Sequence, residues 1–215
     1  MRRLHLAVAA TAGLIASAGS TADGQTCRGT AAYVPSRIKV AGALHFADGL
    51  ESFAAGLGVG GSRTFATGEV VRYVFDGSNV GVTTYGAETG VEFRVDSLSS
   101  PRVCPLIAFT YQPANDFFVS ATSIAFGGSA GWAFAPDPDI QLVPVAAAMR
   151  EWDRAAGETA TYTTMQLGAG LVLGREWTIQ PSMTFTPGIE GSTPSYAISF
   201  TYNFGSSPSR HEADR

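Results

Sequence analysis

Large apolar or aromatic residues fall on every second position near the C-terminus, at Tyr196, Ile198, Phe200, Tyr202 and Phe204. Ala197, Ser199, Thr201 and Asn203, small or polar, fill the positions between. A period of two belongs to a strand with one apolar and one polar face. The same alternation recurs through most of the chain and predicts ten strands. The first runs from about Ser36 to Phe46, with Ile38, Val40, Leu44 and Phe46 on one face and Arg37, Lys39, Ala41, Ala43 and His45 on the other. The second spans about Leu50 to Gly61 and opposes Phe53, Ala55, Leu57 and Val59 to Ala54, Gly56, Gly58 and Gly60. That glycine row leaves one face nearly bare, open to long side chains of its neighbours. Further strands are expected near 65–75, 85–96, 104–112, 117–128, 140–151, 160–173, 175–186 and 194–204. Pro144 and the Val145–Met149 run make the seventh the least regular, since proline removes a ladder donor and alanines favour helix. Trp152 to Thr159 reads as a polar loop.

The fourth segment decides the environment. Val91, Phe93 and Val95 face one way, and Glu88, Glu92, Arg94 and Asp96 the other. Alternating charge with apolar residues suits a wall between lipid and a polar lumen. The expected fold is therefore all-β: a single antiparallel up-and-down transmembrane β-barrel of ten strands. Eight is the alternative count if the sixth and seventh segments are not both strands. A soluble exported sandwich or lipocalin-like barrel is the rival, and it would pack the large residues inward.

Composition agrees with a membrane wall. Charged residues are 15% of the 215, against about 25% in soluble domains, and there are 25 glycines. Arg2 and Arg3, the apolar stretch from Leu4 to Ile15 and the small residues after it form a secretory signal. The stretch is too short for a membrane helix, and a chain that spans a bilayer without one must close a barrel. The organisation expected is a signal peptide at 1–22, a periplasmic lead-in at 23–35, the barrel at 36–205 and a polar tail at 206–215. A net charge of -4 gives no reason to expect nucleic acid as a partner. Export brings Cys27 and Cys104 into an oxidising compartment, and with even strand parity both fall on the periplasmic rim. A disulfide between them would staple the lead-in to that rim, worth about 4 kcal/mol in the chain-entropy model.

In such a barrel Lys39, Arg72, Glu88, Glu92 and Arg94 would face the lumen as an ion-pair network, because buried charges need partners. Tyr73, Phe93, Phe109, Trp177, Phe185, Phe200 and Tyr202 would face lipid, with rings gathered near the interfaces. Catalytic chemistry has little to stand on. After the signal only His45 and His211 remain as imidazole bases, and no nucleophile is marked beside either. The two cysteines lack the paired spacing of a zinc site, so neither metal nor cofactor is expected.

The signal, the repeated short strands and the terminal run Tyr196 to Phe204 together resemble the small outer-membrane β-barrel proteins of Gram-negative bacteria. The resemblance covers nearly all of the mature chain and rests on pattern, with no subfamily motif. It implies a cell outer membrane location, outer-membrane lipid as surroundings, and recognition by the barrel-assembly machinery, with Phe204 matching the terminal aromatic of the assembly signal. The chain departs from the family in continuing from Gly205 to Arg215. The function expected is structural or surface-interacting, non-enzymatic and monomeric. The alternatives are a narrow pore or binder of small apolar ligands, and a lipid-modifying enzyme.

Overall fold

A computed structural model describes residue 27 and residues 38–60, 64–77, 80–94, 101–132, 134–137, 140–174 and 176–204. The signal, the tail and the lead-in apart from Cys27 lie outside the described residues. The strands are β1 (Ile38–Ala47), β2 (Leu50–Gly60), β3 (Thr64–Phe75), β4 (Gly81–Val91), β5 (Phe93–Arg94), β6 (Arg102–Gln112), β7 (Ala121–Gly131), β8 (Phe134–Asp137), β9 (Ile140–Ala155), β10 (Glu158–Leu173), β11 (Trp177–Phe185) and β12 (Ser195–Phe204). The short β5 continues the stave of β4, and β8 pairs with β9 in the line of β7. Ten antiparallel staves result. Pairing of β1 with β12 and of β9 with β10 closes them into a barrel with no open side.

The stagger of that closure follows from the ladders. From Val40 the pairing runs through β2, β3, β4, β6, β7 and β9 to Thr161 of β10. The other way, through β12 and β11, it reaches Leu173 of the same strand, 12 residues on. With ten strands this stagger tilts the staves by about 40°. Ile38 and Phe204 mark one end of the barrel, here the near end. The turns after β1, β3, β6, β9 and β11 form the far end.

Four prolines sit inside strands: Pro136 lies in the short β8, and the other three each sit where a ladder is interrupted. Pro105 lies between the pairs Gly90–Leu106 and Phe93–Val103. Pro181 lies between Gly168–Ser182 and Leu171–Ile179. Pro144 follows the last β7 pair, Gly131–Val145, and precedes the β8 pair Phe134–Leu142. Proline has no N–H to donate, so these gaps are where it is tolerated.

The seventh segment is a strand, and it runs beyond its expected end. β9 and β10 are 16 residues each, joined by Ala156 and Gly157, both at positive φ, as a tight hairpin turn requires. Trp152 to Ala155 therefore belongs to a strand and not to a loop. At the sixth segment Phe117 to Ser120 precede the strand. There Asn115 Oδ1 accepts the amides of Phe117 and Phe118 at 2.9 and 2.8 Å, fixing a loop at the far end.

Burial alternates along the staves, and it is inverted relative to a soluble barrel. Lys39, His45, Ser52, Glu88, Gln112, Thr178 and Asn203 are buried, while Ile38, Val40, Leu57, Phe93, Ile124 and Phe200 are exposed. The rival arrangement, with large residues inward, does not form.

Candidate functional site

The lumen is the candidate site, and its near end is built around sulfur and one ion pair. Cys104 is the third residue of β6 and points inward, fully buried. It is disulfide-bonded to Cys27, with Cα atoms 5.3 Å apart. The Ser129 hydroxyl on the paired stave donates to the Cys27 carbonyl. The bridge therefore lies inside the barrel mouth and not on its rim, a correction that follows from the inward parity Cys104 shares with Arg102 and Leu106. Phe65, Leu106, Ala125 and Met149 pack around it. Gly90 makes room here: a Cβ on it would stand 2.6 Å from Leu106 and 2.7 Å from Phe65. Beside the bridge, at the gap left by Pro105, Glu92 accepts from Arg102 Nη1 at 3.1 Å, both side chains buried. Each side chain thus faces an oppositely charged partner inside the barrel, the arrangement buried charges need.

Toward the far end the lumen changes character. Ala43, Leu50, Ala54, Val71, Tyr73 and Val82 form an apolar cluster, with Phe75 and Phe118 stacked over it at 5.4 Å between centroids. On the facing staves Glu151 and Asp153 point inward from β9. The Tyr162 hydroxyl lies 2.6 Å from Asp153 Oδ2 and 3.2 Å from Glu151 Oε2, and Thr164 donates to Glu151 Oε1 at 2.5 Å. His45 and Ser52 are cross-strand partners, both inward and buried. Neither His45 Nε2 nor Ser52 Oγ has a hydrogen-bond partner, so they do not form the hydroxyl–imidazole contact a nucleophile needs.

Two expectations about facing are corrected, and both fall on β3. Tyr73 is 1% exposed and points into the lumen, and Arg72 points outward. Either face of this strand carries apolar residues and one charge: Glu69 with Val71 and Tyr73, or Arg72 with Val70 and Val74. The barrel takes the shorter Glu69 inside and leaves Arg72 outside, where Nη1 donates to Thr83 Oγ1 at 3.1 Å. A long arginine can keep its head near an interface while its stem lies on apolar surface.

The other positions read from sequence fall as follows. Lys39, Glu88 and Glu92 are inward and buried. Lys39 and Thr67 flank Gly58, whose missing side chain leaves them space. The Arg94 side chain lies outside the described residues. Phe93, Phe109, Trp177 and Phe200 are exposed on the outer face. Phe185 and Tyr202 occupy outward positions and are half-buried, the Tyr202 ring between Trp177 and Phe204 at 4.8 and 4.7 Å. Phe204 is exposed and pairs with Ile38 at the seam. The sequence argument missed Arg102, Glu69, Ser52, Glu151, Asp153 and Tyr162. Arg102 follows a proline and precedes the strand start expected near 104, whereas β6 begins at Arg102 itself. Continued alternation through Glu151-Trp152-Asp153-Arg154 was the signal for the two acids.

No protein-family model matches the chain, and no curated protein matches it in sequence. Solved structures do resemble it. The β domain of the Bordetella autotransporter Brka aligns with a TM-score of 0.53 at 13% identity, covering 78% of this chain and 98% of that one. Ail, the attachment invasion locus protein of Yersinia pestis, aligns at 0.36 and 13% identity, over 78% and 98%. The N-terminal β-barrel domain of Pseudomonas aeruginosa OprF aligns at 0.35 and 10%, over 78% and 96%. The chain is a closed ten-stranded antiparallel barrel, and its fold is that of outer-membrane β-barrels.

Proposed function

We propose that the chain is an integral outer-membrane β-barrel of structural or surface-interaction type, with a lumen closed by its own side chains. The observation that carries this reading is the inverted burial: a belt of exposed apolar residues around buried Lys39, Glu88, Glu92 and Glu151. In water that belt would be a continuous hydrophobic surface; in a bilayer it is the solvated face. Phe93, Trp177 and Phe204 ring the near end and Tyr85, Tyr111 and Trp152 stand toward the far end, which supports two interfacial girdles. Even strand parity brings the start of β1 and the end of β12 to the near end, and in this reading that end faces the periplasm. In this reading the protein is a monomer in outer-membrane lipid, assembled by the machinery that reads terminal strands. In this reading it has no catalytic role, which is supported by the buried His45 and Ser52 facing each other without a hydrogen bond.

Cell fractionation with an unheated and a boiled detergent gel tests this. A membrane-bound band that changes mobility only on boiling is expected. A soluble protein with no shift would overturn it.

One observation favours a second reading, a narrow hydrated passage. Thr178 Oγ1, both amide atoms of Gln180 and Thr201 Oγ1 are buried on the adjacent strands β11 and β12 without hydrogen-bond partners. Buried polar groups of this kind are normally satisfied by water. Conductance in planar bilayers separates the two readings.

A further inference from the structure

Most buried charge points into the barrel, yet Arg150 and Arg154 point out. They share the outer face of β9 with Trp152 between them. Four residues along a strand set their backbones about 13 Å apart. Arg150 Nη1 donates to Thr163 Oγ1 at 3.0 Å, and Thr161 stands opposite Trp152 on β10. The Trp152 ring meets Phe126 edge-on at 5.8 Å. Among the described residues neither arginine forms an ion pair with a carboxylate.

An outward arginine on a membrane barrel is unfavourable at depth and becomes tolerable near the interface. Arg150 lies deeper than Trp152, counting from the far end. Its neutral partner Thr163 leaves most of its five donors unused. Guanidinium is the side chain that matches phosphate with paired donors. Two such groups at fixed spacing, with a ring surface between them, fit one amphiphile carrying two separated phosphates. Its acyl chains would run down past Trp152 and Phe126.

We propose that this face of β9 holds a doubly phosphorylated lipid headgroup in the leaflet at the far end of the barrel. The inference rests on the membrane reading above and adds a ligand to it. Arg72 provides an internal control. It also points outward, but it stands alone on β3, four staves from β9 along the sheet.

The test uses the full chain in vesicles of zwitterionic phospholipid doped with a diglucosamine lipid bearing two phosphates, or with the same lipid stripped of one. Native mass spectrometry after detergent extraction counts the glycolipid retained. Wild type should retain the bisphosphorylated form in preference to the monophosphorylated one. Retention should fall about ten-fold or more in the Arg150→Gln/Arg154→Gln variant, which loses charged hydrogen bonds at both groups, and should be unchanged in Arg72→Gln. Excess inorganic phosphate should leave the adduct in place. Equal retention by the double variant, no preference in wild type, or displacement by inorganic phosphate would each overturn the proposal while flotation with the vesicles still upholds the barrel. Failure of wild type to float would overturn the membrane reading, and this site with it.

Discussion

At the scale of single residues, facing sets the sign of a substitution. Phe200 is 46% exposed in the middle of β12 and Thr201, next to it, is 1% exposed. Phe200→Arg puts a charge on the lipid face at a cost of about 2–4 kcal/mol near the bilayer midplane. It should therefore lower the folded, boiling-sensitive fraction on a detergent gel. Thr201→Val removes a buried hydroxyl that has no partner, so it should leave that fraction unchanged. The reverse ranking would show the barrel to be inside out. The ion pair gives a second test. Arg102→Met removes the guanidinium from beside the buried Glu92 carboxylate and should cost about 3–5 kcal/mol in urea unfolding, while adding Glu92→Leu to it should restore most of the loss. If the single and double variants unfold alike, the pair does not hold the near end. This pair also marks where sequence reasoning stops. Alternation placed Glu92 inward, because Val91 and Phe93 on either side had to face out. It did not find Arg102, because nothing local in Ser100-Pro101-Arg102 distinguishes a strand start from a loop.

At the scale of elements, the period of two located all ten staves, and most ends fell within a few residues of the expected ones. The misses have physical causes. In β9 the charges Glu151, Asp153 and Arg154 resembled a solvated loop, but they alternate acid-in and arginine-out, which only a two-faced wall can use. In β3 both faces are mixed, so periodicity could not choose between Tyr73 and Arg72 for the lumen. The choice depends on room across the barrel. Gly86 supplies it, since Glu69 Oε1 lies 2.9 Å from where a Gly86 Cβ would stand. The disulfide belongs to this scale too, because it ties Cys27 to β6 across a separation of 77 residues. Loss of that closed loop in Cys27→Ser/Cys104→Ser should lower stability by about 4 kcal/mol in the chain-entropy model. A urea midpoint equal to wild type, at an unchanged slope, would show that the bridge constrains nothing the folded barrel does not already hold.

At the scale of the whole molecule, strand number and stagger fix how wide the lumen is, and side chains decide whether it conducts. Ten staves with a stagger of 12 residues enclose more room than the smallest barrels, in which side chains alone fill the interior. Here the near end is occupied by Phe65, Leu106, Met149 and the disulfide, and the far end by Tyr73, Val71 and Leu50 under Phe75 and Phe118. An ion crossing this path would leave water for apolar side chains at both ends, and desolvating a charge without a partner is prohibitive. On β11 and β12 the polar residues Thr178, Gln180 and Thr201 share the inner face with the buried row Ser199, Asn203 and, across the seam, Lys39. Purified protein in planar bilayers should therefore give no stable unitary steps. Replacing both Tyr73 and Leu50 with Ala removes bulk only at the far end, so that variant should stay silent too. Steps in wild type would establish the hydrated passage, and steps appearing only in the variant would place the barrier at the far end alone.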